Sequence, residues 1–161
     1  HKVKFQRRKQ FQVWSVPLTW DNAEVILAYP ESYMNSAGDP VRRLADSLSL
    51  DPHKELLIVV DDAALPFGRY RLRGRGSDGG HNGLKSVNEA LGTTGYSRLR
   101  IGVGSPRSKG LQEIPLEEYV LSPFLAEEKG GLETVFANGL NALRLWTKEP
   151  LSRAMSIINA C

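Results

Sequence analysis

The residues whose types and spacing could do chemistry gather around one glycine-rich stretch, Gly74-Arg75-Gly76-Ser77-Asp78-Gly79-Gly80-His81-Asn82-Gly83. Glycine at that density costs backbone entropy that an ordinary turn does not require, and it implies close approach of something to the main chain. The first six residues match G-x-G-x-x-G, a pattern that cradles dinucleotide phosphates. They lie mid-chain, however, with no acidic residue about 20 positions onward at a strand end. A Walker-type phosphate loop is excluded because no Gly-Lys-Ser/Thr follows at the needed spacing. A surface loop without a ligand stays open. His81 and Asn82 stand immediately before a helix start, Asp61-Asp62 lies upstream at the end of an aliphatic run, and Asn35 is a further polar loop position. Singly, each has an ordinary use, as a structural histidine, a helix cap or a turn residue. Their combination marks one candidate site.

The elements that must position these residues follow from periodicity. Phe11 to Val16 alternate apolar and polar, Pro17 to Glu24 carry turn residues, and Val25 to Tyr29 form a short apolar run, which reads as a hairpin. Asp39 as N-cap and Pro40 at the first helical position start a helix that runs to about Leu48. Leu56 to Val60 is a continuous aliphatic run ending at Asp61-Asp62, the pattern of a strand buried on both faces whose C-terminal end opens into a polar crevice. Gly68 to Arg73 alternates as a strand with a basic face, and a helix spans about Leu84 to Leu91. Arg98 to Gly104 reads as another strand, and Ser105 to Pro115 as a long exposed loop. From Ser122-Pro123 the chain is helical through Trp146, with a last amphipathic piece from Leu151 to Ile158. Strands alternating with helices predict an α/β three-layer sandwich, a mixed and mostly parallel central sheet flanked by helices, in a single domain.

Composition narrows the class. The chain has 161 residues, 41% hydrophobic and 24% charged, enough for one core. Its net charge of +3 and pI of about 9.1 permit an anionic partner without requiring one. The single cysteine, Cys161, allows no internal disulfide and no Cys-rich metal site, which suits a reducing compartment. No run approaches eighteen apolar residues, so neither a membrane span nor a secretory signal is expected. Cytoplasm is the expected location, with an organelle matrix or stroma also compatible. Arg7, Arg8 and Lys9 read as a solvated or disordered charge run.

Four ordered motifs then carry a resemblance. Tyr33-Met34-Asn35-Ser36-Ala37-Gly38, Ile58-Val59-Val60-Asp61-Asp62 with Leu65-Pro66-Phe67-Gly68, Gly79-Gly80-His81-Asn82-Gly83-Leu84-Lys85, and Arg98-Leu99-Arg100-Ile101-Gly102-Val103-Gly104 resemble, in order and spacing, the bacterial-type peptidyl-tRNA hydrolases. Tyr119-Val120-Leu121-Ser122-Pro123-Phe124 is similar to the family's segment before its C-terminal helix. The match covers the chain from about Val25 onward.

The resemblance implies a monomeric α/β hydrolase, working without metal or cofactor, of the ester between a peptide's carboxyl group and the 3′ ribose of tRNA. By motif, Asp61 would orient and polarise a catalytic histidine. Tyr33, Asn35, Gly80, His81 and Asn82 would face the peptide part or the reacting ester. A carboxylate at a strand end can fix one imidazole tautomer, and buried amides both donate and accept. Arg71 and Arg73, two apart on one strand, share a face; with Lys85 and Arg100 they would clamp tRNA phosphates.

The opening of the family pattern has no match. A Gly-Asn-Pro-Gly turn and an Arg-His-Asn motif, whose histidine is the general base, are absent, and His1-Lys2-Val3-Lys4-Phe5 is only a superficial echo. Two readings follow. The opening strand and base-bearing segment belong to the enzyme outside these 161 residues, or the chain is a paralogue that kept an RNA-binding face and lost hydrolysis, similar to splicing-factor relatives. The joint presence of Asn35, Asp61 and Asn82 favours the enzyme, as does the cost of unpaired backbone beside a missing strand.

Overall fold

The computed structural model describes residues 3–160, so His1 and Cys161 lie outside the described residues. Contacts group the chain into two units, His1–Leu57 with Gly74–Ser97, and Ile58–Arg73 with Arg98–Cys161. Each is described in turn.

The first unit contains an antiparallel sheet of β1 (Gln6–Arg8), β2 (Val13–Trp20) and β3 (Ala23–Pro30), in that order. The expected hairpin is present, but its turn is shorter than the stretch Pro17 to Glu24. Only Asp21 and Asn22 turn, with φ of 47° and 72°, the mirror-image geometry whose twist suits two strands. Pro17 instead lies within β2 opposite Ile26. β1 pairs only with Val13 to Ser15, so at Pro17 one side of β2 has no neighbouring strand and a missing N–H is tolerated. Of the two alternatives for the Arg7-Arg8-Lys9 run, the structure shows the solvated one, with Arg7 and Lys9 exposed. Arg7 and Arg8 lie in β1, and Arg7 Nε sits 2.7 and 3.0 Å from the two Glu31 carboxylate oxygens, one of which also accepts from Trp14 Nε1 at 2.6 Å.

Helix α1 (Gly38–Ser47) begins one residue before the expected cap. Asp39 is therefore in the first turn, where its carboxylate meets the positive end of the helix dipole and pairs with Arg43 at 2.8 Å. Short α2 (Pro52–Glu55) is capped by Asp51, whose carboxyl is held below its usual range by the His53 backbone N–H and by Lys54. Helix α3 (Asn82–Leu91) packs on α1, and the Gly38 N–H donates to Ser86 Oγ at 3.0 Å. Val13, Val16, Ala45, Leu84, Val87 and Tyr96 are buried. Each large aliphatic chain among them stabilises by about 1.5–3 kcal/mol.

The second unit is built on a sheet ordered β4 (Leu57–Asp62), β6 (Ser97–Gly102), β5 (Tyr70–Arg73). β5 and β6 are antiparallel. β4 and β6 run parallel, since Leu56 O accepts from Ser97 N and Asp62 O accepts from Val103 N, with both chains advancing together. The α/β class is as expected, but antiparallel pairs outnumber the parallel one. β4 is also an edge strand of this sheet rather than one buried on both faces, with Val59 46% exposed.

The predicted continuous helix after Ser122 is divided. α4 (Leu116–Leu121) precedes it, α5 (Ala126–Lys129) stops at Gly130-Gly131, and α6 (Leu132–Lys148) and α7 (Leu151–Ala160) follow. Tyr70 donates its hydroxyl to the Val135 carbonyl of α6, and burial raises its pKa. The Ser105 to Pro115 stretch is the largely exposed loop that was expected, with one 3-10 turn at Arg107–Lys109, and it is tied down internally. Ser105 and Ser108 exchange hydrogen bonds, and Lys109 Nζ reaches the Val103 carbonyl at 3.1 Å and the Glu128 carboxylate. Burial pulls the Lys109 pKa down, but Glu128 and Tyr119 outweigh it and hold the ammonium above its ordinary value.

At the outer edge of β5 a side chain takes the place of a neighbouring strand. Asn159 of α7 accepts from Leu72 N at 2.8 Å and donates to Leu72 O at 3.1 Å. Asn159→Ala leaves both groups of an otherwise buried residue unsatisfied, and unfolding in urea should show a loss of about 1–3 kcal/mol. An unchanged midpoint would mean that water replaces the amide without cost.

Candidate functional site

The first unit assembles one group of motif residues. Tyr33-Met34-Asn35-Ser36 makes a 3-10 turn leading into α1, with Tyr33 87% exposed and Asn35 exposed. This turn meets the N-terminus of α3. A Cβ at Gly83 would stand 2.4 Å from Met34 Sδ and 3.0 Å from the His81 ring, so glycine is what lets the two motifs approach. His81 is the N-cap of α3, its Nδ1 accepting from Leu84 N at 3.2 Å. Asn82 follows at the first helical position and is exposed, as is Lys85 one turn further on.

The expected close approach to the glycine-rich stretch is present at Gly83. Gly80 has φ of +81° with open space where a Cβ would point, and its N–H donates to Asp78 Oδ1 at 2.9 Å. Its glycine serves a left-handed turn rather than a contact. The amides of Asn35 and Asn82 are likewise exposed rather than buried, so both are open to a ligand.

The second unit assembles the acidic and basic groups. Asp61 and Asp62 close β4, both half-buried, and strand alternation sends their side chains to opposite faces. Asp62 accepts from Ala64 N at 2.8 Å through one oxygen and from Arg100 Nη1 at 3.2 Å through the other. On β5, Tyr70 and Leu72 are buried while Arg71 and Arg73 are exposed, as the alternation predicted. The register sets Arg71 opposite Arg100 and Arg73 opposite Arg98. Residues paired in this way share a face, so four guanidinium groups crowd one side of the β5–β6 ribbon. Arg98 is 1% exposed and the Arg100 side chain 13%, leaving Arg71 and Arg73 as the outward pair.

Two of these features escaped the sequence reading. Arg98 looked like one basic residue in a strand, and Asp62 like the lesser half of an acidic pair. Only pairing register reveals that Arg98 joins the basic face and that Asp62 is the counter-charge of Arg100. Alternation in Arg98-Leu99-Arg100 was the available signal.

A cavity of about 200 Å³ in the first unit is lined by Phe11, Pro17, Ile26 and Leu48 among others and contains none of the motif residues. It is not where these groups converge. Among the described residues no group of three or more histidine, cysteine or acidic side chains is arranged to hold a metal ion.

Comparison with known proteins is consistent across three levels. A family model described as peptidyl-tRNA hydrolase matches residues 1–161. The chain is 38% identical over 158 residues to a peptidyl-tRNA hydrolase of Desulfitobacterium hafniense, covering 98% of this chain and 83% of that protein. It is 42% identical over 135 residues to one from Chloroflexus aggregans, covering 84% and 70%. The crystal structure of peptidyl-tRNA hydrolase from Acinetobacter baumannii superposes with a TM-score of 0.85 at 27% identity, covering 98% of this chain and 77% of that one.

Proposed function

The chain belongs to the peptidyl-tRNA hydrolase family, and from that premise we propose how its residues divide the work of hydrolysing the ester between peptide and tRNA. The reaction adds water to the ester carbonyl, breaks the bond from that carbon to the ribose 3′ oxygen, and yields a peptide carboxylate and a tRNA with its 3′ hydroxyl restored, ready for translation again.

In the family pattern a histidine of the Arg-His-Asn motif takes the proton from water, and no such motif is found in residues 1–161. Asp61 orients that imidazole and stabilises its protonated form, as carboxylates do for bases in other hydrolases. Asn35 and Asn82, both exposed and offering donor and acceptor atoms, hold the peptide part and the reacting ester, with Tyr33, Gly80 and His81 around them. Arg71 and Arg73 present cations outward to tRNA phosphates, with Arg100 on the same face of the β5–β6 ribbon, and exposed Lys85 is a further phosphate contact. The observation that carries this division is the pairing of outward Arg71 and Arg73 with a sheet whose other end closes on Asp61. We propose that the protein acts on tRNA as a monomer, in the cytoplasm or in an organelle matrix or stroma. No helix among the described residues is long and apolar enough to cross a membrane.

The test is direct. The protein incubated with N-acylated aminoacyl-tRNA should release free tRNA with multiple turnovers. Tight binding of tRNA with the ester left intact would instead identify an RNA-binding paralogue.

A further inference from the structure

The four-arginine face has an electrostatic problem that one residue answers. Arg71 stands directly opposite Arg100, and like charges so placed repel. Arg100 is nevertheless held in place, because its Nη1 lies 3.2 Å from Asp62 Oδ2 with both side chains largely shielded from solvent, 13% and 11% exposed. The carboxylate is itself fixed. Its other oxygen accepts from Ala64 N at 2.8 Å, and the Asp62 carbonyl accepts from Val103 N at 3.2 Å, so a rigid backbone stands behind it. A guanidinium is planar, so a contact at one nitrogen restricts where its other donors can point.

We infer that Asp62 is a positioning residue for substrate binding, orienting Arg100 toward tRNA phosphate on the face shared with Arg71. The inference rests on the reading of that face as the tRNA surface. It is separate from the role of Asp61, whose side chain alternation directs to the other side of β4.

The sign of the effect distinguishes positioning from simple charge. Removing an anion from a surface that binds RNA should, by charge alone, tighten binding. Loss of orientation should weaken it. In the full-length protein Asp62→Asn should therefore raise KM for peptidyl-tRNA about five- to tenfold with kcat within about twofold of the parent. Arg100→Gln should match it, and combining the two should add little, since both remove one interaction. Asp62→Glu, which restores the charge, should recover part of the loss. A fall or no change in KM for Asp62→Asn, or additive effects of the two substitutions, overturns the inference. If Asp62→Asn does not fold, nitrogen NMR of the parent decides: the Arg100 guanidinium must rotate slowly and its signal must shift on adding tRNA, and a freely rotating or unresponsive Arg100 overturns it. Failure of the underlying reading is seen separately, as unaltered KM and salt dependence in Arg71→Ala/Arg73→Ala.

Discussion

Replacing Asp61 by asparagine should lower kcat for peptidyl-tRNA by about a thousandfold or more while tRNA affinity stays within about threefold of the parent. The reason is that the carboxylate acts on the transition state. When the catalytic imidazole takes a proton from water it becomes a cation, and an adjacent carboxylate both stabilises that cation and holds the tautomer whose free nitrogen faces the water. Asparagine has nearly the same shape but lacks the charge, and its amide can bind the wrong tautomer. Because Asp61 lies on a strand end in a separate role from the exposed arginines, ground-state binding of tRNA should be spared. Single-turnover rates and equilibrium binding of deacylated tRNA, measured side by side, check this. A variant with near-parent turnover would move the orienting role to another carboxylate, whereas lost binding would show that Asp61 serves the fold or the RNA surface.

Arg71→Ala with Arg73→Ala should have the complementary signature. The two side chains alternate outward on β5 while Tyr70 and Leu72 bury inward, so truncating them removes charge without opening the core. Each phosphate neutralised contributes about −0.9 to the slope of log affinity against log salt. The double variant should bind peptidyl-tRNA at least tenfold more weakly at moderate salt, with a slope shallower by about two, and with kcat at saturation nearly unchanged. Melting temperature should hardly move. Unaltered affinity and slope would show that the tRNA lies elsewhere.

The two variants probe features that were legible to very different degrees. The strand ending in Asp61 follows from a continuous aliphatic run, the hairpin before Pro30 from alternation followed by a short apolar run, and the outward Arg71 and Arg73 from a two-residue period, all of which depend on local chemistry alone. The hairpin turn was placed too broadly because Pro17 suggests a break, whereas an edge position in β2 accepts it. The stretch after Ser105 reads as an exposed loop and largely is one, but the sequence does not show its anchor: Lys109 is held by Glu128, nineteen positions away, a partner that no local window contains. The amides of Asn35 and Asn82 were expected to be buried, but each lies at the exposed start of a helix or turn.

By itself the sequence determined the α/β class, the hairpin, the strands ending at Asp62 and carrying Arg71 and Arg73, the helices after Gly38 and His81, the ordered motifs that place the chain in its family, and the outward pair of arginines on β5. Tertiary structure decided the rest. It set the pairing of Arg71 with Arg100 and of Arg73 with Arg98, the grip of Asp62 on Arg100, the contact of Met34 with Gly83, and the strand-like embrace of Leu72 by Asn159. The physical reason is range. Side-chain alternation, turn chemistry and helix capping are settled among neighbours a few residues apart. Strand register and ion-pair partnership depend on which distant segments share a surface, and that is fixed only when burial and hydrogen bonding are satisfied throughout each unit together.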